Sequence, residues 1–353
     1  MPNRRRRAAG VRPCLLALAW LLTAPSLAAG MTSDPACRLP PGIVTSRPEA
    51  QGPATPVRVG LFVLDVTSID ELTESFTVDL LMIVRWQDPR LSRASLGASL
   101  EGCIFQLEDV WHPRIGIVNQ RIVTSRGDET LRVDAEGNVE FRVGFYGELS
   151  SPLDLHRFPF DSQRLGISIS TDYGSDVELV GDAATTGILP EAGIAGWRIL
   201  RVDEAPIART IEAAGATYGV TEFALWIARE PAYYVWKIFL PLTFIIGMAS
   251  IVFWLDPRDF GPQIGVSTAS VFTLIAFLLS LGRFLPRVSY LTTADLFVLG
   301  ALTLVFGALA ECVLSSRLAQ SGRYELACRV DAVARWVYPV GFLAVAFGVL
   351  IAS

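Results

Sequence analysis

The sequence predicts an all-β, immunoglobulin-like sandwich outside the membrane, followed by a bundle of four transmembrane helices. Three features support this fold class: an N-terminal secretory signal, a middle region of short strand-like runs, and four long apolar segments after Tyr234. With 353 residues, of which 51% are hydrophobic, the chain is too apolar for an ordinary soluble protein and long enough for two domains. The predicted division is a signal peptide at 1–30, an extracellular domain at 31–230 and a transmembrane domain at 231–353.

The N-terminus has the three parts of a secretory signal. Arg4 to Arg7 form a basic region, Cys14 to Leu22 an apolar core, and small residues up to Gly30 offer a cleavage site. The apolar core is short for a membrane span, which favours cleavage over a retained anchor. The sequence therefore predicts that the mature chain begins outside the cytoplasm.

The charge balance excludes one class of partner. The chain has 30 basic and 35 acidic residues, and the predicted signal removes arginines but no acids. Nucleic acid binding needs a basic surface, so it is not expected. The region before the apolar segments also lacks the sequence motifs of hydrolases, P-loop proteins and zinc enzymes, and we predict no enzymatic activity and no cofactor.

The cysteines suggest a disulfide rather than a metal site. Cys37 and Cys103 fall in the predicted extracellular domain, where an oxidising compartment would allow them to form a bridge. Sequence alone does not fix their geometry, so both the bridged and the free form remain open. The cysteine and histidine spacing matches no metal-binding pattern.

The first half of the chain reads as consecutive strands. From Pro56 onward, short runs rich in Val, Ile, Phe and Thr are separated by Asp, Gly, Ser and Pro, with the spacing typical of a β-sandwich. Residues Ala135 to Asn138 separate two such runs, and their Gly-Asn pair predicts a hairpin turn.

One loop differs from the simple turns around it. Within Ser151 to Leu165, Phe158-Pro159-Phe160 is followed directly by Asp161, which makes a rigid apolar corner with a carboxylate at its end. A buried loop corner is the simplest interpretation. A second interpretation comes from the pattern of the whole stretch, SPLDLHRFPFDSQRL.

This stretch resembles the signature loop of the pentameric ligand-gated ion channels, the Cys-loop receptors. Ser151 and Leu165 occupy the positions of the two loop cysteines, as in prokaryotic members of that family. Other motifs of the family occur in the same order. They are Trp86-Gln87-Asp88, Trp111-His112-Pro113, Arg229 with Tyr233-Tyr234, Lys237 to Leu242, and Leu285 to Tyr290.

The resemblance implies a homopentamer around a central pore, which opens when an extracellular ligand or protons act on the sandwich domain. It also implies an ion pair of Asp161 with Arg229, near an acid of the first hairpin, and a linker beneath the loop. The implied coupling residues are Asp70, Glu71, Phe158, Pro159, Phe160, Asp161, Arg229, Pro286 and Tyr290.

The four apolar segments are each long enough to span a bilayer. Their predicted positions are about 235–255, 261–282, 294–314 and 332–352, with Thr292 and Thr293 as candidate helix caps. A secreted N-terminus and four spans place both the first domain and the C-terminus outside, with connections at 256–259 and 315–326 inside. The resemblance implies a bacterial inner membrane, and the partners are then lipid, inorganic ions and the other subunits.

The second segment carries hydroxyl groups along its length, which favours a surface that meets water or other helices. The register of the family motif implies one helical stripe facing the pore: Gly265, Ala269, Phe272, Ala276, Leu279 and Arg283. A more polar stripe is the alternative: Ser270, Thr273, Phe277 and Ser280. We favour the first stripe because hydroxyl groups can also face water-filled crevices or bond to backbone carbonyls between helices.

The permeant ion is not fixed by the sequence. Cation-conducting relatives carry a glutamate ring at the inner mouth, where this chain has Gly261, Pro262 and Gln263. A ring of Arg283 at the outer mouth would attract anions. These features favour anionic or weakly selective conduction.

The implied ligand site lies between subunits. Positions that carry an aromatic cage in amine-binding relatives are Leu81, Val118 and Asp172, with Tyr173 and Tyr218 nearby. An amine agonist is therefore not favoured, and protons are the other candidate. A second hypothesis for the whole chain is a non-conducting, membrane-anchored periplasmic receptor, but anchoring needs only one span.

Overall fold

A computed structural model describes residues 37, 39, 46–49, 51–97, 99–203, 207–213, 216–282 and 288–352, with backbone only at 207–213, 216–218 and 352. The chain divides into residues 1–38 and residues 39–353, and all the elements below belong to the second unit. The predicted signal peptide, Arg283 and Pro286 lie outside the described residues.

Thirteen described strands form two sheets. The first sheet contains β1 (Thr55–Asp70), β2 (Ser75–Gln87), β3 (Ile104–Gln106), β5 (Gln120–Arg126), β6 (Thr130–Val133), β7 (Asn138–Ser150), β9 (Val177–Gly181) and β10 (Gly187–Ile188). The second contains β4 (Ile115–Ile117), β8 (Ser162–Thr171), β11 (Trp197–Val202), β12 (Ile207–Ala213) and β13 (Ala216–Arg229). One helical turn, α1 (Arg93–Leu96), follows β2.

Sheet order follows from the hairpins and two crossovers. The first sheet runs β10-β1-β2-β7-β6-β3, with β5 on β7 and β9 on β1, while the second runs β11-β13-β8-β4, with β12 on β13. All pairs are antiparallel except those of β9 and β10 with β1. Alternate side chains of β1 and β8 are buried, so one face of each strand packs into the core between the sheets.

The predicted hairpin between β6 and β7 is confirmed. The two strands pair antiparallel across the turn, and Gly137 adopts a positive φ of 82°. The Asp134 carboxylate accepts hydrogen bonds from the backbone N–H of Glu136 and Asn138 at 3.0 and 2.8 Å. The tryptophans of two family motifs, Trp86 and Trp111, pack edge to face in the sandwich core with ring centroids 6.0 Å apart.

Four described helices are long and apolar enough to cross a membrane. The first span, Ala232–Trp254, joins α2 (Ala232–Tyr234), a π-helical turn at Val235–Phe239, α3 (Leu240–Ser250) and a 3-10 turn at Ile251–Trp254. The other three are α4 (Phe260–Leu281), α5 (Thr293–Gln320) and α6 (Tyr324–Ala352).

The last two helices extend further than their apolar segments. α5 ends at Gln320 rather than near Leu314, and α6 begins at Tyr324 rather than near Ala332. The reason is that polar side chains in these extra turns are packed inside the bundle, where Ser316 Oγ donates to Gln263 Oε1 at 2.8 Å. The predicted inner connection at 315–326 is therefore mostly helical and shortens to a turn at Gly322, whose φ is 80°.

The bundle places α4 and α6 on different sides. α4 packs against α3 and α5, whereas α6 packs mainly against α5. Ile238, Leu242, Leu274 and Phe297 are among the buried residues of this core. α6 carries large exposed apolar side chains along its outer face: Trp336, Val340, Leu343 and Phe347. Such a face is typical of a helix surrounded by lipid.

Candidate coupling and pore sites

The pairing of β8 with β13 brings Asp161 and Arg229 together at the membrane end of the sandwich. Asp161 directly precedes β8 and Arg229 ends β13, and the Arg229 backbone N–H donates to the Asp161 carbonyl at 3.0 Å. Their side chains form a two-point ion pair, with Nε to Oδ1 at 2.8 Å and Nη2 to Oδ2 at 3.2 Å. Both residues are buried, at 2% and 5% exposure. This geometry fixes the orientation of the guanidinium as well as its distance.

A second carboxylate also contacts the Arg229 guanidinium. Arg229 Nη1 donates to Glu71 Oε1 at 2.9 Å. Asp70, the other acid predicted here, instead accepts hydrogen bonds from the backbone N–H of Leu72 and Thr73, which lower the pKa of its carboxyl. Glu71 is thus the hairpin acid that contacts Arg229, and Asp70 stabilises the hairpin turn.

Aromatic rings enclose the same guanidinium. It lies over the rings of Trp197, at 4.0 Å, and Phe158, at 4.8 Å, and Nη1 also donates to Tyr234 Oη at 3.3 Å. Burial lowers the pKa of Arg229, but its bonds to Asp161 and Glu71 outweigh that effect and the net shift is upward. The residue therefore stays charged, and removal of Arg229 would leave the buried Asp161 carboxylate without a cation in a largely dry site.

Gln163 is a residue of this cluster that the sequence reasoning did not select. Its Nε2 donates to Asp161 Oδ2 and to the Asp154 carbonyl, both at 2.6 Å, and its Oε1 accepts from the Asp154 N–H at 3.0 Å. Gln163 thus orients the Asp161 carboxylate and links the end of the loop to the backbone of Asp154 near its start. The signal was present, because Gln163 is the glutamine of the family loop pattern.

The loop also contacts the start of α5 directly. The backbone N–H groups of Thr293 and Ala294 donate to the carbonyls of His156 and Phe158 at 2.9 and 3.0 Å. The first N–H groups of a helix have no partner within the helix, so the loop satisfies two of them. Thr292 and Asp295 form a capping box at the same helix end, and Thr292 is the cap predicted from the sequence.

Tyr290, from the linker before α5, holds the loop from the side. Its hydroxyl accepts a hydrogen bond from the Leu155 N–H at 2.9 Å. Its ring stacks on His156 with centroids 3.9 Å apart. His156 Nδ1 is 2.6 Å from Asp154 Oδ1, and this bond is the main reason that the pKa of the Asp154 carboxyl lies below its usual value.

Apolar rings continue the contact into the membrane. Phe158 meets Tyr234 at 4.8 Å, and Phe160 meets Phe239 at 5.9 Å, which in turn meets Phe297 of α5 at 4.8 Å. The peptide bond between Phe158 and Pro159 is cis. The loop is thus in ring contact with the first span, which in turn contacts α5.

The face of α4 assigned to the pore points away from the rest of the subunit. Five of the six predicted residues are described, and all five are exposed: Gly265, Ala269, Phe272, Ala276 and Leu279. The opposite face is buried: Gln263, Ser267, Ser270, Leu274 and Leu281. The subunit thus leaves the predicted stripe free to meet an axis or another subunit.

The alternative polar stripe does not form one exposed face. Ser270 is fully buried, and Phe277 is half-buried, while Thr273 and Ser280 are exposed. The hydroxyls of Ser270 and Thr273 donate to the carbonyls of Val266 and Ala269 at 2.9 and 2.7 Å. These bonds within the helix explain how an apolar segment accommodates the hydroxyl groups.

The residues predicted for ligand binding are not gathered within one subunit. Asp172 lines a cavity of about 480 Å³ together with His112 and Arg114. Val118 is half-exposed and Tyr173 packs on Trp111 at 5.5 Å, but neither lines that cavity. Leu81 lies on β2 in the other sheet, and the Tyr218 side chain is outside the described residues.

The two cysteines of the extracellular half are both disulfide-bonded, whereas Cys312 and Cys328 are free thiols. The oxidised state fits the predicted location outside the cytoplasm. The pairing of Cys37 with Cys103 stays a prediction.

Comparison with known proteins matches both halves of the chain. The model for the neurotransmitter-gated ion-channel ligand binding domain matches residues 44–181, and the model for the neurotransmitter-gated ion-channel transmembrane region matches residues 238–323. A proton-gated ion channel from Gloeobacter violaceus is 25% identical over 299 residues, which cover 84% of this chain and 82% of the relative. The extracellular sandwich, the four membrane helices and these matches together mean that the chain belongs to the pentameric ligand-gated ion channel family, the Cys-loop receptors.

Proposed function

We propose that five copies of this chain form a channel in a bacterial inner membrane, with α4 of each subunit lining the pore. The Arg229 cluster is the observation that carries the proposal. It joins the end of β13, the first hairpin and the loop before β8 at one point, and the loop contacts the N-terminus of α5. A change in the sandwich domain is thereby transmitted to the helices that hold α4.

The agonist we propose is the proton, acting on the extracellular domain. Two observations support it. The positions of an amine cage hold Leu81, Val118 and Asp172, which offer no aromatic face to a cation. The Gloeobacter violaceus relative is a proton-gated channel. A small molecule that binds between subunits beside Asp172 is the second candidate agonist, and the cavity at His112 and Arg114 supports it.

The pore is proposed to conduct inorganic ions with anionic or weak selectivity, because the inner end of α4 carries no acid in its first turn. The outer apolar face of α6 is proposed to contact lipid. We assign the chain no catalytic step.

The experiment is current recording from the purified protein in planar bilayers while the outer solution is stepped from about pH 8 to about pH 4, which spans the titration of histidine and reaches that of carboxyl side chains. Acidification is expected to open the channel. Asymmetric salt in the same recordings gives the permeant ion from the reversal potential. A variant with Ala276→Trp, which places a large ring on the exposed face of α4, should assemble normally and pass no current.

Three outcomes separate the hypotheses. Current evoked by a ligand but not by acid would replace the proton with a small molecule and leave the channel proposal intact. Pentamers that pass no current under either condition would instead favour the non-conducting receptor. Full current from the Ala276→Trp variant would contradict the assignment of the pore face.

A further inference from the structure

Two acidic side chains lie inside the membrane bundle, away from the pore face and the coupling cluster. Glu311 is on α5 and Asp331 is on α6, and these two helices pack against each other. Counted from the inner ends of the helices at Gln320 and Tyr324, both lie about 10 to 14 Å into the bundle. Charged groups at such a depth are costly and normally have a partner.

Neither carboxylate has a basic partner among the described residues. Asp331 is 1% exposed, and neither of its carboxylate oxygens has a hydrogen-bond donor, nor does Oε1 of Glu311. Arg335, one turn further along α6, is occupied elsewhere, because its Nε donates to the Phe253 carbonyl at 2.8 Å and its guanidinium lies over Trp254.

The other neighbouring elements offer no compensating charge either. The sequence of α4 contains no charged residue, and the remaining arginines near the inner ends of α5 and α6, Arg317, Arg323 and Arg329, are exposed. The Cys312 thiol is the other titratable group close to both acids. Ser315, one turn after Glu311 on the same face of α5, is fully buried, and its hydroxyl is also without a partner.

The two acids are each other's neighbours. The Asp331 side chain lies beside the Glu311 carboxyl across the contact between α5 and α6, and no donor from another described residue reaches the buried oxygens of either acid. An ionised carboxylate has only acceptors, so two carboxyl groups can bond only if one of them carries the hydrogen. Two bare charges at this separation in a medium of low dielectric constant would repel strongly. A metal ion bound between the two carboxylates is the alternative to a shared proton, because it would take the place of the hydrogen that links them.

We propose that Glu311 and Asp331 form a proton-binding site within the membrane, in which one shared proton links α6 to α5. The proton reaches it from the cytoplasmic side, which is the nearer surface. Loss of the proton would set two negative charges against each other and loosen the contact between the helices. This site is separate from the extracellular agonist site, so the proposal does not depend on which agonist opens the channel.

The direct test is infrared spectroscopy of the purified channel at neutral pH. A carbonyl-stretch band of a protonated carboxyl group, which moves on exchange into deuterated water, is expected in the wild type. It should be lost or displaced in Glu311→Gln and in Asp331→Asn. Glu325→Gln is the matched control, because Glu325 is an exposed acid in the first turn of α6 and its removal should leave the band unchanged.

A second measurement is the unfolding temperature in detergent as a function of pH. The wild type should lose stability relative to Asp331→Asn as the pH is raised, because only the wild type acquires the pair of charges. Absence of the band in the wild type would overturn the proposal, as would its persistence in both variants. Stabilisation of the wild type by Na⁺ or Ca²⁺ that both variants lose would show a cation site instead.

Discussion

Arg229 joins several parts of the chain at the boundary between the sandwich and the membrane helices. It pairs with Asp161 of the loop before β8 and with Glu71 of the first hairpin, and it packs over the ring of Trp197 from β11. A lysine would keep the charge but lose the two-point contact with Asp161. The residue therefore combines electrostatic compensation with a fixed geometry.

We predict that Arg229→Ala destabilises the subunit by about 3 to 5 kcal/mol, because it leaves the buried Asp161 carboxylate without its cation. Arg229→Lys should have a smaller effect. The unfolding temperature of the purified protein and the amplitude of its currents measure both changes. Removal of the charge and its partner together, in Arg229→Gln with Asp161→Asn, should cost less than the sum of the single changes. Wild-type stability and current in Arg229→Ala would contradict the role of the cluster.

Glu71 and Asp70 provide a matched pair of adjacent acids. Glu71→Gln removes a charge from the Arg229 cluster, whereas Asp70→Asn keeps an oxygen that can still accept from Leu72 and Thr73. We expect the first change to alter the agonist concentration for half-maximal current and the second to leave it almost unchanged. Equal effects of the two variants would mean that the hairpin acts through its total charge.

The pair of Asp154 and His156 gives a pH-dependent prediction. Because the pKa of Asp154 is lowered, the pair stabilises the folded protein above the ordinary carboxyl pKa and ceases to do so as the pH falls through the lowered value. His156→Phe keeps a ring against Tyr290 but removes the donor. The variant should be less stable at neutral pH, by at most about 0.5 kcal/mol because the carboxyl is exposed, and equally stable in strong acid. Thermal unfolding at a series of pH values tests this, and a constant difference at all pH values would exclude Asp154 as its source.

At the scale of the elements, burial distinguishes the two stripes of α4 between which the sequence alone did not decide. The buried face, with Ser267, Ser270 and Leu274, packs inside the subunit, and the opposite face with Phe272 and Ala276 is exposed. Helical periodicity then assigns the same side to every residue of a stripe.

We predict that Phe272→Cys reacts with a water-borne thiol reagent in the open channel and that the reaction blocks current. Ser270→Cys should not react, because the side chain at this position is fully buried. The background for both variants should lack Cys312 and Cys328, the two free thiols. Thr273→Cys decides the register, since block at Thr273 without block at Phe272 would favour the polar stripe.

At the scale of the whole molecule, the subunit leaves the stripe of α4 with Phe272 and Ala276 exposed, on the side opposite to the buried face of the helix. Rotational symmetry lets one such stripe from each subunit surround a common axis. In the proposed pentamer, the outward apolar face of α6 would meet lipid. One subunit would then supply a surface for the pore and another for the bilayer.

We predict a pentamer in detergent. The subunit mass before signal cleavage is 38.4 kDa, and light scattering corrected for detergent should give five times the mass of the mature chain. Five-fold symmetric particles in electron micrographs would agree with this. A monomer or dimer that is stable at all protein concentrations would contradict the proposed pore.

The sequence alone predicted the strands, the β6–β7 hairpin and the four membrane segments, and the resemblance to a known family supplied the pair of Asp161 and Arg229. The first three features are encoded by residues near one another in the chain, where apolar periodicity and turn residues are informative. The helix ends were less well predicted, because apolar runs do not include polar residues such as Ser316 that find partners inside the bundle.

Only the tertiary structure decided the contacts between distant residues. It selected Glu71 over Asp70 as the partner of Arg229, placed the loop carbonyls of His156 and Phe158 on α5, and buried Ser270 within the bundle. Asp70 and Glu71 are adjacent in the chain and both carry a carboxyl group. The direction of each side chain therefore depends on how the sheets and helices pack. That packing is a property of the assembled chain, and no local pattern encodes it.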